Sequence, residues 1–505
     1  MGGGHDAQAF FDGAEGQAWL HLLVVLLLLV VVLHGGAGVE RVQFILRRLR
    51  LDRRVACSRS HLQERAARMS EMVREFGVEQ TLALSATMPP RTVTLCADEM
   101  WLAGTMILVA NDPVSGWIWV QTIAATRDEA TWTAAIKDGT RGMSLTVRTV
   151  GADCGSGLIA MARSGLGVSH SADVFHGQYE LTRACARRLS MRVQTAEATH
   201  QHSVAATRAL RAQRRASERG PRGPGRPPEW DHHLAVAEHA QHQSDKALRR
   251  ARTDQETMRE VVRGIGEQVH PVDLATGAPR DGDTVQEALD ALLARGGAVA
   301  LKLGATGTRA VEKVQRLVPN WASIVRQWWQ EVWARMSAVG LGEELFTLVL
   351  TVLIPAMYVR WVSERNHLDS ASRKALARVH ESLLAKVRAH AEWQALPPAT
   401  REHLQELADE CARWFVRSTG STEGHNGWLR LRFHQRHAVT PEWLETQRVL
   451  HNFLIRRRDG SSAAERFFGA AHGDLVEYLV ARMPLPALPR QRKVNKATSP
   501  ECLNL

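Results

Sequence analysis

The rhythm of hydrophobic and polar positions changes twice along the chain, and the changes divide it. Leu20 to Leu33 is almost unbroken Leu and Val after a Gly-rich start. That is only about a dozen apolar residues, against the roughly 20 that span a bilayer, so a buried helix is expected. From Gly38 to Leu51, Val39, Val42, Ile45, Leu46 and Leu49 recur among arginines, the pattern of an amphipathic helix. Asp52 to Cys57 form a short connection. Ser58 then caps a second predicted helix that runs through Phe76 and ends at Gly77. Two helices so joined read either as a helix-turn-helix presenting Arg59, His61, Arg65 and Arg68 to DNA or as a plain solvated hairpin.

After Pro89-Pro90 the texture becomes strand-like. Val93–Ala97, Thr105–Ala110 and Trp117–Ile123 are runs of β-formers, the last two separated by the turn cluster from Asn111 to Gly116. Asp128 to Lys137 reads as helix, Leu145–Val150 as strand, and Gly155–Ser164 as a short helix. Val168–Ser171 is a last strand leading to Asp173. The predicted order is β-β-β-α-β-α-β, a mixed sheet with helices.

From Glu180 to about Arg417 no strand signal survives. This stretch is expected to be an all-helical insertion, 186–409, broken by a basic Pro/Gly linker at 211–228. Within that linker, Gly225-Arg226-Pro227 is either plain linker or the core of a minor-groove hook. Leu345 to Tyr358 is a second apolar run, again short for a span and carrying Pro355. Two further helices, Pro441–Arg456 and Ser462–Met483, precede a tail. The predicted class is therefore α/β: a core built from 89–185 and 410–485, preceded by an apolar segment 1–37 and a helical region 38–88, with the tail at 486–505.

Composition adds a partner. Lys and Arg exceed Asp and Glu by 64 to 53, giving a net charge of +11 and a pI near 9.8. That balance suits a polyanion, although an arginine-rich proteome gives the same figure. The six cysteines (57, 96, 154, 185, 411, 502) stand singly. Neither a disulfide framework nor a zinc ribbon is indicated, and a reduced cytosol is the expected compartment.

Three acids stand where hard cations are commonly held. Asp98 directly follows one apolar strand, and Asp153 closes another. Ser421 or Thr422 can cap a helix whose first turn carries Glu423, where the helix dipole favours an anion. Carboxylate oxygens suit Mg²⁺ or Mn²⁺. A pair of such ions would serve an in-line phosphodiester displacement. Taken singly, each acid is an ordinary turn or cap residue. Glu99, next to Asp98, should point to the opposite face of its strand. Cys154 has no base placed to make it a nucleophile. Trp328, Trp329, Trp333 and Trp361 read as core at helical spacing, or as stacking platforms for bases.

The run Glu423-Gly-His-Asn-Gly-Trp-Leu-Arg430 resembles the last catalytic helix of bacterial insertion-sequence transposases of the RNase H-like, DDE class. Asp173-Val-Phe-His176 is similar to a segment that some of these carry after the fifth strand. The likeness covers about residues 90–185 and 410–460. It implies an RNase H-like core with Asp98, Asp153 and Glu423 as catalytic ligands of two Mg²⁺ or Mn²⁺ ions. Asp173, His176, His425, Asn426, Arg430 and Arg432 would then meet DNA, together with Arg59, Arg65 and Arg68. The implied partners are double-stranded DNA, at element ends and target, and further copies of the chain. The implied location is the cytoplasm, at the nucleoid, without stable membrane association. The chain departs from the family in having no zinc-finger-like cysteines near its start. Other readings are a DNA-binding relative that does not cut, and a membrane-associated regulator anchored by 20–33 and 345–358.

Overall fold

A computed structural model describes residues 10–220, 225–226, 228–364, 368–433 and 438–489. The linker residues 221–224 and 227, the tail beyond 489 and Cys502 lie outside them. The chain opens with α1 (Ala14–Leu27), α2 (Val39–Arg48) and α3 (Arg59–Thr87). Strands β1 (Arg91–Leu102), β2 (Thr105–Asn111) and β3 (Ile118–Ile123) follow. After them come α4 (Glu129–Gly139), β4 (Leu145–Ala152), α5 (Ser156–Ala160) and β5 (Ser169–Ala172). A run of helices comes next: α6 (Val174–Arg219), α7 (Trp230–Gln268), α8 (Gly282–Leu301), α9 (Ala305–Gln315) and α10 (Val318–Ser337). It continues with α11 (Glu343–Leu348), α12 (Ile354–Ser363), α13 (Ser370–Ala389), α14 (Ala391–Ala395) and α15 (Pro398–Arg413). The chain closes with α16 (Gly420–Phe433), α17 (Pro441–Val449), α18 (Ala463–Phe468) and α19 (Leu475–Arg482).

The protein is a mixed α/β structure with one five-stranded sheet in the order β3-β2-β1-β4-β5. β1 pairs antiparallel with β2, and β2 with β3. The tight link between β1 and β2 is Ala103-Gly104, with φ of 46° and 80°. Two successive positive φ values give a turn whose twist matches that of paired strands. Contacts divide the chain into two units. One holds residues 1–150, 155–168 and 419–505, the other 151–154 and 169–418.

In the first unit, alternation along the β1–β2 hairpin builds the surface that matters. Met100 and Leu102 of β1 and Ile107 and Val109 of β2 are buried with Leu429, Trp443 and Leu444, carried by α16 and α17. Each such side chain stabilises by about 1.5–3 kcal/mol on leaving water. Asp98 has the same parity as Met100 and Leu102, so period-2 alternation turns it toward α16 as well. The sequence led us to expect Asp98 at a strand end. Instead β1 runs on to Leu102, and Asp98 sits inside the strand opposite Val109.

Three further expectations are corrected. Helix α3 does not stop at Gly77 but continues to Thr87. Gly77 serves close approach: a Cβ there would lie 2.3 Å from Cγ2 of Val449. The basic segment from 211 to Arg219 is helical, the end of α6 rather than linker. The apolar runs are not short, because each lies in a continuous helix of 21 residues, Ala14–His34 and Glu343–Ser363, long and apolar enough to cross a membrane. Both include a π-helical stretch, Leu28–His34 and Val349–Leu353. The second stretch lets Pro355, which lacks an N–H and crowds the preceding turn, enter the helix without breaking it. Leu20, Val24, Leu28 and Leu33 are buried, and their helix packs on α3, α17 and α19.

The second unit is helical apart from β5. Its core joins α6 to α15 around Trp321, Trp328, Tyr358 and Phe415. The indole N–H of Trp328 donates to the Cys411 carbonyl (2.9 Å) and that of Trp329 to the Arg280 carbonyl (2.7 Å). Trp361 packs at the edge of the same core, under the Arg413 guanidinium. These three are core residues. Trp333 is exposed.

Candidate active site

Helix α16 lies on β1 and β2 in the first unit, and its polar residues fasten it there. It begins at Gly420, ahead of the residues expected to cap it. The Thr419 carbonyl accepts the amides of Thr422 and Glu423. Ser421 and Thr422 do not cap; their hydroxyls donate to Asn111 Oδ1 at 3.4 and 2.6 Å. Asn111 ends β2, so the start of the helix is pinned to the end of a strand.

One turn on, Asn426 donates from Nδ2 to Asp98 Oδ2 at 2.8 Å. Glu423 precedes Asn426 by three residues, and residues three apart on a helix are neighbours on its surface. Asn426, which holds the acid of β1, and Glu423 are thus neighbouring positions on one helix face. Asn426 is buried, and its Oδ1 has no hydrogen-bond partner among the described residues. Gly427, next on that face, is open: a Cβ there would meet nothing within 4 Å. Arg430 follows one turn later and is exposed. Carboxylate and amide oxygens are the donors that a hard divalent cation such as Mg²⁺ or Mn²⁺ prefers.

The opposite side of α16 is a buried ring stack. His425 Nε2 lies 2.5 Å from Gln121 Oε1 of β3, whose own amide donates to the Leu444 carbonyl at 2.6 Å. His425 Nδ1 faces His451 Nδ1 at 3.3 Å, and His451 Nε2 meets the Gly116 carbonyl at 2.9 Å. Burial, with the His451 and Arg432 charges, holds His425 well below the ordinary histidine range. Burial foremost, against the bond to Gly116 and helped by Arg466, Arg457 and Arg432, brings His451 to about 4. Both rings are neutral at pH 7. His425 stacks on Trp428 (5.4 Å, 20°), and the Arg432 guanidinium lies 3.8 Å from the centre of that indole.

Several residues expected at DNA are therefore engaged elsewhere. His425 is buried between Trp428 and Gln121 and presents nothing to a phosphate. Arg432 packs on Trp428 and donates to His34 Nε2 at 3.2 Å. Arg65 is buried and donates to the carbonyls of Pro484 (2.9 Å) and Leu485 (3.4 Å). Arg59 is exposed and paired with Glu40 at 2.8 Å, and Arg68 is exposed. Ser58 does cap α3, accepting from the His61 amide. Glu99, on the other face of β1, is bonded to Arg127.

Asp153 follows β4 directly, at the start of residues assigned to the second unit. In that unit its carbonyl accepts from His170 Nε2 at 2.9 Å. Asp173 caps α6: Oδ1 accepts from the Phe175 amide at 2.8 Å, and Oδ2 lies 3.3 Å from His176 Nδ1. Arg226 pairs with Glu229 at 2.8 Å. Sequence reasoning missed Asn111, Gln121 and His451, which hold α16. The available signal was polar amides inside or ending apolar strands, which need partners when buried.

Residues 349–495 match the model of a family of unknown function (DUF6399), a stretch that includes α16 and Glu423. No curated protein matches the chain.

Proposed function

We propose that the protein is a DNA transposase of the RNase H-like, DDE class, cutting element ends and joining them to target DNA, with Asp98, Asp153 and Glu423 as its metal ligands. The single observation that carries this reading is the hydrogen bond from Asn426 to Asp98, which brings the helix of Glu423 onto the strand of Asp98. The strand order supports it: an antiparallel β1-β2-β3 with β4 and β5 beyond β1 is the order of an RNase H-like sheet. In that order the strand preceding Asp153 is the neighbour of the strand holding Asp98.

The residues then divide the work. Asp98, Glu423 and Asp153 would hold two Mg²⁺ or Mn²⁺ ions, which when bound supply activation of a water or 3′-hydroxyl and charge stabilisation at the leaving oxygen. Asn426 fixes the orientation of Asp98, and its own Oδ1 is without a partner among the described residues. Gly427 leaves room for a sugar-phosphate backbone on this face, and Arg430 offers a guanidinium to a phosphate.

The test is strand transfer by the full chain with Mn²⁺, on DNA carrying inverted repeats found beside the gene. Asp98→Asn, Asp153→Asn and Glu423→Gln should each lower the rate by at least roughly 10³-fold with DNA binding retained. Activity surviving in any of the three removes that residue from the site. A wild-type protein that binds the repeats but never cuts them makes it a binding protein instead.

A further inference from the structure

Helices α6 and α7 are unusually long, 46 and 39 residues, or about 69 and 58 Å at 1.5 Å per residue. The core of the second unit ends on them at Leu189 and Met258. Between Met191 and Thr253 they zip to each other as a two-helix arm. Glu197 pairs with Arg252 (2.9 Å), His200 with Ser244 (3.1 Å), Arg211 with Glu238 (2.7 Å) and Arg214 with Asp231 (2.8 Å).

This arm carries much of the charge of the protein. Residues 191–253 hold 12 Lys and Arg against 6 Asp and Glu, a net +6 of the chain's +11. The distal part is more basic still, with seven arginines and one acid between 208 and 226. Arg211 and Arg214 turn inward to the acids of α7. Arg208, Arg215 and Arg219 are exposed and meet no acid among the described residues. At 100° per residue these three lie within about 40° of one another, so they form one outward stripe about 16 Å long. Beside Arg208, the small side chains of Ala205, Ala209 and Ala212 leave a shallow hollow of about 450 Å³.

The composition selects the polyanion. Single-stranded nucleic acid is gripped by stacking aromatics, and Trp230 is the only Phe, Trp or Tyr between 191 and 253. A membrane surface calls for an apolar face rich in Trp, Phe or Leu, whereas the exposed large apolar residues here are Met191, Val204 and Val236. A straight basic rod without either feature fits the regular phosphates of a duplex. We propose that the α6–α7 arm is a sequence-independent grip on duplex DNA, with Arg208, Arg215 and Arg219 on its phosphates. The grip does not use the carboxylates and stands or falls apart from the catalytic reading.

The experiment is a salt titration of full-length protein binding to a DNA duplex of arbitrary sequence, in EDTA, between about 50 and 200 mM salt. Replacing Arg208, Arg215 and Arg219 together by Gln should weaken binding roughly 10- to 100-fold and flatten the log–log salt slope by about 2 to 3. The Lys triple variant should restore most of both, which separates lost charge from lost structure. An unchanged slope in the Gln variant overturns the proposal. So does preferential binding, through the same arginines, to duplex RNA or to phosphatidylserine vesicles.

Discussion

Asn426 and Asp98 stand 328 positions apart and share a 2.8 Å hydrogen bond, donated by the amide of α16 to the carboxylate of β1. Replacing Asn426 by Ala removes the donor and the unpartnered Oδ1 together. Losing a residue that orients a metal ligand typically costs 10- to 100-fold in affinity or activity, so strand transfer should fall by about that much. Stability should fall by about 1.5–3 kcal/mol for the lost hydrogen bond to a charged group. A Mn²⁺ titration of the variant checks the assignment. A wild-type metal dependence would reduce Asn426 to a structural bond.

The histidine pair makes stability depend on pH with a definite sign. Folded His451 titrates at about 4, against an ordinary 6.5. Below pH 6.5 the unfolded chain therefore takes up a proton that the folded chain refuses, and stability falls as pH falls through 6.5 toward 4. Above 6.5 its contribution is complete. The full loss is up to about 3 kcal/mol, since each tenfold difference in proton affinity is worth about 1.4 kcal/mol. Denaturant midpoints measured from pH 7 to 4 should show the slope, and His451→Gln should lessen it, leaving the share of His425. A slope undiminished in this variant would place the titration elsewhere.

The order of strands and helices was legible because it rests on local pattern. Alternation marked β1 to β3, and turn residues marked their ends. The placement of Asp98 was misjudged because the strand continues through Asp98-Glu99, two charged residues that look like a stop. They remain in the strand because Asn426 and Arg127 satisfy them from other elements. The same cause hid His425 and Arg65. A polar residue bonded hundreds of positions away, to Gln121 or to the Pro484 carbonyl, carries no mark of that bond in its neighbours. Gly77 misled in the opposite way, since a glycine needed for close packing reads the same as one that ends a helix.

Gly77 supports a prediction of opposing effects. Gly→Ala inside a helix ordinarily stabilises by up to about 1 kcal/mol. Here the new methyl would lie 2.3 Å from Val449 Cγ2 and 3.1 Å from Cγ1, and overpacking costs about 1–3 kcal/mol. The clash should win, leaving Gly77→Ala less stable by about 1–2 kcal/mol. Adding Val449→Ala makes room, so the double variant should be more stable than the sum of the single losses. Additive losses in a denaturation cycle would mean that the two helices separate easily at this point.

Arg65 separates a structural arginine from those available to DNA on the same helix. Its guanidinium is buried and spends its donors on two backbone carbonyls, and burial, with the nearby Arg68 charge, pushes its pKa down. Removing it leaves the Pro484 and Leu485 carbonyls without this donor, and hydrogen bonds to charged groups contribute about 1.5–3 kcal/mol each. Arg65→Ala should therefore lower stability by about 2–4 kcal/mol and loosen the segment after α19, seen as faster proteolysis near residue 484. The salt slope of DNA binding by the surviving folded protein should not change. Arg68→Ala should leave stability within about 0.5 kcal/mol, as exposed substitutions usually do. If α2 and α3 do meet DNA, it should flatten the salt slope by about 1. A reversed outcome, with Arg65→Ala stable but weaker on DNA, would mean that the arginine leaves its carbonyls when DNA binds.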